Sequence, residues 1–328
     1  PRSRCPEHGV KTIVPPWADK HSRFTLLFEV FAIEVLCASR SIDAAAKLLG
    51  LHWDSAQAIM TRAVERGLAR RSVDDVRQVG LDEKSFGQGH DYITVLTDIG
   101  GSRVLDVVPD RTQKAAEDVL TKSLSPTQRQ KIQAVAADML PAYAKAVQTQ
   151  TPQAELVHDK FHVAKHLNEA VDQIRRAENK ALLAINDDRL KGTRQLWLFG
   201  KPKLSAKRRR QLDAIRLRGL KTARAWMLKE QFRWFWRYVY ATSAEVFFDR
   251  WYAWAIRSRL WPMKKVARML HRHRDGILSY FRHRITNAVS EGYNSVIQAL
   301  RYAARGFRSF DHYRTRILFF CGKLQLKP

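Results

Sequence analysis

A chain of 328 residues with 45% hydrophobic content is long enough for two or three domains and is not disordered as a whole. Its 58 Lys and Arg against 32 Asp and Glu give a net charge of +26, an excess that calls for a polyanionic partner, nucleic acid first. No apolar run approaches the roughly 20 residues needed to cross a bilayer, and no signal-peptide pattern is present, so a membrane partner is not expected and the expected location is the cytoplasm.

Cys5, Cys37 and Cys321 are too few and too scattered for a disulfide framework, which fits a reducing compartment. Cys5 and His8 stand in CPEH, spaced like half of a zinc site without a second pair nearby; an ordinary turn is an equal reading. The chain begins at Pro1 without a Met, and residues that precede it are expected. After the Pro-rich stretch from Val14 to Trp17, helical periodicity runs over Phe24–Ala38, over Ser41–Leu49 and over about Trp53–Glu65. Ala46, four residues before Gly50, lets two helices approach, and Gly50 lets the backbone turn, which is the helix-turn-helix pattern. The third helix is then the recognition helix, with His52, Asp54, Ser55 and Gln57 near its start as candidates for DNA contact.

From Gln78 to Asp159 the composition turns acidic, with 8 Lys or Arg against 11 Asp or Glu. Gln78–Phe86, Tyr92–Ile99 and Val104–Val108 read as three strands, the first two joined by a loop holding Gly87, Gly89 and Asp91. A helix over Thr112–Leu124, a strand over Gln133–Asp138, a helix over Pro141–Gln150 and a strand over Ala154–Asp159 follow, so the segment reads as an α/β mixed sheet flanked by helices. Asp82 on the first strand is a carboxylate on a rigid support, although on position alone an ordinary strand-end acid is the commoner reading. Asp138 lies at the carboxyl end of its strand, where open α/β sheets place ligands. Asp159 also ends a strand, but it suits a cap for the helix that follows. Glu83 must face away from Asp82. His158 and His162 read as structural histidines near element ends.

A helix is expected from Phe161 to Lys180, and no convincing strand occurs from there to Arg284. Arg189 to Arg237 holds 16 Lys or Arg against Asp213 and Glu230 alone, including the run Lys207, Arg208, Arg209 and Arg210, and seven of the nine Trp fall between Trp197 and Trp261. Basic helices with interleaved aromatics can hold unpaired DNA. For any single Trp, core packing is the commoner reading. A last helix is expected from Thr286 or Asn287 to the turn at Gly306. Val289, Tyr293, Val296, Ile297 and Leu300 form its apolar stripe, while Glu291, Asn294, Ser295 and Gln298 form a polar one. By composition Glu291 is a surface residue; packing of the apolar stripe on the sheet would deliver it beside Asp82 and Asp138.

Taken together, LDEKSF around Asp82, AADMLPAY around Asp138, HDKFHV around Asp159 and TNAVSEGYNSVIQALRYAARGFRSFDHYRTRI around Glu291 resemble the ISL-three family of bacterial insertion-sequence transposases, over nearly the whole chain. CPEHGVKTIVPPWADKHSRFT resembles the same family just downstream of its zinc-binding module. The resemblance implies a helix-turn-helix domain followed by a ribonuclease-H-like catalytic fold, split by a large all-helical insertion. It implies a catalytic and metal-binding triad of Asp82, Asp138 and Glu291. The implied segments are 1–22 for the edge of a zinc module, 23–74 for the helix-turn-helix, 75–164 with 285–328 for the core, and 165–284 for the basic insertion.

Mg²⁺, with Mn²⁺ as a substitute, is the implied cofactor, since hard cations take oxygen ligands, and Zn²⁺ is implied only at the incomplete Cys5 and His8 site. The implied reaction is cleavage at transposon ends by water, then attack of the freed 3′ hydroxyl on target DNA, with no covalent enzyme intermediate. Terminal inverted repeats and target DNA are the implied partners, with a homodimer when two ends are synapsed, acting on the bacterial nucleoid. Asn294 and Gln298 are then expected near the DNA backbone at the cleavage site. A catalytically idle DNA-binding derivative, or a nuclease that does not join strands, is the alternative.

Overall fold

The computed structural model describes residues 2–13, 15–18, 22–39, 41–85, 91–217 and 219–328. The expected hairpin loop with Gly87 and Gly89, Phe86 at the end of the first strand, and Val14 lie outside these residues. Packing divides the chain into two compact units, one of Pro1–Ile132, Thr149–Thr151 and Ala288–Pro328, the other of Gln133–Gln148 and Pro152–Asn287. Among the described residues no helix is long and apolar enough to cross a membrane.

In the first unit, β1 (Arg2–Cys5) and β2 (Gly9–Thr12) form an exposed antiparallel hairpin with Cys5 opposite Gly9. Three helices follow: α1 (Leu26–Ser39), α2 (Ile42–Leu49) and α3 (Trp53–Arg70). Ser41 caps α2 by accepting a hydrogen bond from the Ala44 amide. Gly50 ends it in the left-handed region at φ 66°, and the Leu51 amide returns to the Ala46 carbonyl. The expected helix-turn-helix is therefore present, with Ala32, Ile33, Ala45, Ala46, Ala56 and Ile59 buried between its helices. The third helix runs to Arg70 rather than to Glu65, because Val64 and Gly67 continue its buried face. A Cβ at Gly67 would stand 2.6 Å from the Cβ of Leu324, so the C-terminal segment packs directly on this helix.

β3 (Gln78–Ser85), β4 (Tyr92–Asp98) and β5 (Arg103–Pro109) form an antiparallel meander with Asp82 opposite Val95, and α4 (Gln113–Ser123) packs on β4 and β5. Successive residues Ile93, Thr94, Val95 and Leu96 are all buried, so both faces of β4 are covered; this is why the sequence shows no clean alternation there. A short helix, α5 (Pro126–Gln130), is closed by a capping box between Ser125 and Gln128.

The second unit opens with β6 (Ala134–Ala137), α6 (Pro141–Gln150) and β7 (Glu155–His158), a crossover joining two parallel strands. Among the described residues of this unit the rest is helical: α7 (Lys160–Leu183), α8 (Arg194–Leu198), α9 (Ala206–Arg216), α10 (Lys221–Phe232), α11 (Ala241–Arg257), α12 (Trp261–Arg272), α13 (Arg274–Leu278) and α14 (Tyr280–His283). Trp197, Trp226 and Trp251 are buried in one core with Phe232, Phe235 and Phe248, whereas Trp234, Trp254 and Trp261 are exposed. Trp236 is partly buried against the same core, so the core reading holds for four of the seven Trp in this stretch.

The chain returns to the first unit with α15 (Ala288–Ala304) and α16 (Phe310–Cys321). The expected last helix is thus the penultimate one. α16 is buried on nearly every side in its second half, from Tyr313 to Cys321, so it shows no polar stripe to mark it. Arg314 on it makes a two-pronged ion pair with buried Asp106 of β5, at 2.6 and 2.9 Å. The stripe expected on α15 is also corrected: Ile297 and Leu300 are buried together with Ser290, but Val296 is 43% exposed.

Candidate active site

In the first unit the site is built on Asp82. Leu81 and Gly80 beside it are buried, so β3 holds the carboxylate in the interior. Its Oδ1 accepts the amide of Glu83 at 2.8 Å, and its Oδ2 accepts Nδ2 of Asn294 from α15 at 2.7 Å. Ser290 meets Thr97 of β4 hydroxyl to hydroxyl at 2.7 Å, and Tyr293 donates to the Ser102 carbonyl. These three contacts fix the rotation of α15 on the meander. Glu291, half-buried, lies next to Ser290 and three residues before Asn294, so helical spacing puts it about 60° round the helix from Asn294. Glu83 faces the other way, to Arg111 at 3.1 Å, as strand alternation requires.

The amide of Asn294, a residue expected near the DNA backbone at the cleavage site, lies on Asp82. The polar stripe of α15 carried that signal, since a helix face that pairs an acid with an amide three residues on is suited to orienting a second carboxylate. Gln298 is half-buried one turn further along.

In the second unit Asp138 follows the all-buried AVAA of β6 and is itself buried. Its Oδ1 lies 2.7 Å from Nε2 of His162 on the first turns of α7. Asp159 caps α7, accepting the Phe161 amide at 3.0 Å on one oxygen and the Asn287 amide at 2.9 Å on the other. Both oxygens are thereby committed to backbone donors, which fits the capping role expected for it. His162 does more than the sequence suggested; it ends one turn after a cap and reaches the strand-end acid.

His158 is the structural histidine of the pair. Its Nδ1 lies 3.1 Å from the Ala137 carbonyl, its ring meets His273 edge to face at 4.9 Å, and a Cβ at Gly276 would come within 2.6 Å of it. Burial lowers its pKa from 6.5 to about 4, because the charged imidazolium loses its water. The folded state therefore holds His158 neutral while the unfolded chain takes up a proton below pH 6.5. Stability from this group is complete above 6.5 and is lost as pH falls toward 4, by up to about 3 kcal/mol. Urea denaturation between pH 7 and 4 should show a slope one proton smaller in His158→Asn; an unchanged slope would refute the assignment.

The other candidates scatter. His52 is exposed and Ser55 half-exposed at the start of α3, and exposed Asp54 is paired with Arg308 at 3.3 Å. Gln57 is buried, with Nε2 on Thr61 Oγ1 at 3.2 Å, and so points into the helix-turn-helix rather than to its surface. Lys207, Arg208, Arg209 and Arg210 are exposed in the first turns of α9. Cys5 Sγ and His8 Nδ1 lie 3.4 Å apart in the turn of the N-terminal hairpin.

A family model described as a transposase, of the DDE type and the ISL3 family, matches residues 79–317, and the helix-turn-helix domain of transposase family ISL3 matches residues 13–64. The chain is 27% identical over 304 residues to the transposase for insertion sequence element IS1001 of Bordetella parapertussis, covering 92% of this chain and 74% of that protein. It is 29% identical to the transposase for insertion sequence element IS1557 of Mycobacterium tuberculosis, covering 94% and 74%.

Proposed function

Because the chain belongs to the ISL3 family of transposases, we propose that Asp82, Asp138 and Glu291 together form its catalytic, metal-binding triad. It is a DDE transposase with a helix-turn-helix domain for DNA, and such an acidic triad implies a divalent metal. The observation that carries the assignment is the hydrogen bond from Asn294 to Asp82, which seats the turn of α15 that carries Glu291 on the strand that carries the first acid.

The donor set fits a hard cation, since carboxylate oxygens suit Mg²⁺ or Mn²⁺ and no thiolate competes. Asp82, Asp138 and Glu291 would hold such a cation, and the chemistry it would supply is activation of the attacking oxygen and stabilisation of the leaving 3′ oxygen. The chain's own part is orientation. Asn294 and the Glu83 amide hold the Asp82 carboxylate in one rotamer, and His162 holds Asp138. Water cuts the element's end, and the freed 3′ hydroxyl attacks the target strand, with no side chain required as nucleophile.

The domain partition into 23–74, 75–164 with 285–328, and 165–284 belongs to this reading, as do terminal repeats and target DNA as substrates, a homodimer that synapses two ends, and action on the nucleoid in the cytoplasm. Cys5 and His8 are assigned to the edge of a zinc module. Bonds of about 2.3 Å to sulfur and 2.0 Å to nitrogen put tetrahedral ligands about 3.5 Å apart, close to their observed 3.4 Å.

The test incubates the protein with Mg²⁺ or Mn²⁺, labelled transposon-end DNA and a target plasmid. Joined products are expected from the wild type and none from Glu291→Gln. Cleavage without joining would make the protein a nuclease, and end binding without cleavage would make it an idle derivative. Asn294→Leu keeps the shape of the side chain and removes its amide. Mn²⁺ affinity, read by electron paramagnetic resonance, should fall roughly 10- to 100-fold in that variant; unchanged affinity would remove Asn294 from the site.

A further inference from the structure

The sequence of α12, WPMKKVARMLHR, contains no acid. Helical spacing puts Trp261, Lys265, Arg268 and Arg272 on one face at i, i+4, i+7 and i+11, and all four are exposed. Met263, Ala267 and Leu270 on the opposite face are buried, so this helix has no rotational freedom to hide its cations. Tyr252 of α11 lies alongside, its ring stacked on His271 at 4.4 Å and 17°. Arg268 stands 5.7 Å from the centre of the Trp261 ring. With His271, these side chains line a cavity of about 410 Å³.

Two features mark this face. Several cations elsewhere in the unit are matched to acids: Arg274 to Glu245 and Asp249, Arg282 to Glu155, Lys201 and Arg216 to Asp213, and Arg194 to Asp172. Among the described residues, no carboxylate lies within ion-pair distance of Lys265, Arg268 or Arg272. Trp261 is 64% exposed in a unit that buries Trp197, Trp226 and Trp251. A bare indole beside three unmatched cations suits a ligand with a flat apolar face and repeated negative charge. Nucleic acid has both, and its bases present their faces only where the strands are unpaired. From Lys265 to Arg272 the helix rises about 10 Å, room for more than one phosphate of a single strand.

We propose that the α11–α12 cavity binds an unpaired stretch of DNA, a base stacked on Trp261 and the neighbouring phosphates on Lys265, Arg268 and Arg272. The inference needs DNA as the substrate but not the triad. It is tested by binding without metal, so its failure is distinct from a failure of cleavage.

The full chain is titrated against a fluorescein-labelled 15-nucleotide single strand and against the same sequence as a duplex, reading anisotropy. Trp261→Ala should weaken single-strand binding roughly tenfold or more and leave duplex binding within about twofold, with Trp261→Phe recovering most of the loss. The triple substitution Lys265→Ala, Arg268→Ala and Arg272→Ala should reduce the slope of log affinity against log salt for the single strand by about 2. Circular dichroism melting confirms that each variant folds, and the Phe variant reports on stacking even if the Ala variant does not. Single-strand affinity unchanged in Trp261→Ala, or lost equally for strand and duplex, would overturn the proposal. So would Trp261-dependent binding to phosphatidylglycerol vesicles with none to the oligonucleotide, which would assign the face to a membrane surface.

Discussion

Replacing Asp82 with Asn is expected to lower both end cleavage and strand transfer by at least about 10³-fold while leaving end binding within about twofold. The substitution keeps the size of the side chain and removes its charge. Asp82 is buried, with one oxygen on the Glu83 amide and the other on Asn294. Both partners are donors, so an amide here must turn its own NH₂ toward one of them. The variant loses one hydrogen bond, costing about 1 kcal/mol of stability, and it loses the negative charge that a divalent cation needs. A 10³-fold effect corresponds to about 4 kcal/mol of transition-state stabilisation, within what a metal site supplies. Retention of a tenth of the strand-transfer activity would remove Asp82 from the triad. The same assay separates the rival second acids: Asp138→Asn should abolish activity, whereas Asp159→Asn should lower the melting temperature and spare much of it, because its oxygens serve the Phe161 and Asn287 amides.

Glu29→Ala should destabilise the helix-turn-helix by about 3–5 kcal/mol, enough to unfold it separately in a denaturant titration and to abolish end binding. Glu29 is 1% exposed on α1 and receives two guanidiniums from α3, Arg62 through Nε at 3.0 Å and Arg66 through Nη2 at 3.0 Å. Arg66 also donates to the Leu326 carbonyl, so the same cluster ties down the C-terminal segment. Removing the carboxylate leaves two cations beside an apolar core without a counter-charge, which costs more than the pair itself contributes. Glu29→Gln keeps the acceptor and should cost less. A loss below about 1 kcal/mol in Glu29→Ala would show that water reaches these guanidiniums.

Much of the fold is local in origin and was legible. The β-branched run Tyr92–Asp98, Ala46 with Gly50, and Asp159 before α7 each act through neighbours a few residues away. The misreadings have a common cause. Gln57 sits at the start of a recognition helix yet is buried, because the helix rotates to bury Ala56, Ile59 and Met60 beside it. Val296 is apolar yet exposed, because Ser290, Tyr293 and Asn294 set the rotation of α15 with polar bonds to Thr97, Ser102 and Asp82. α16 carries no amphipathic signal because its second half is buried on nearly every side and so has no polar stripe.

By itself the sequence determined the acids, their order along the chain and the elements that carry them, since periodicity, caps and turn glycines act over a few residues. It also determined the excess of positive charge. Only the tertiary structure decided which charges meet. It turned Asn294 onto Asp82 from 212 residues away, brought His162 to Asp138, and matched arginines such as Arg274 and Arg282 to acids while leaving the cations of α12 exposed beside Trp261. The physical reason is range: a backbone hydrogen bond is satisfied within one turn or one neighbouring strand, whereas a buried carboxylate or an exposed indole depends on what the rest of the chain brings, or does not bring, to its side.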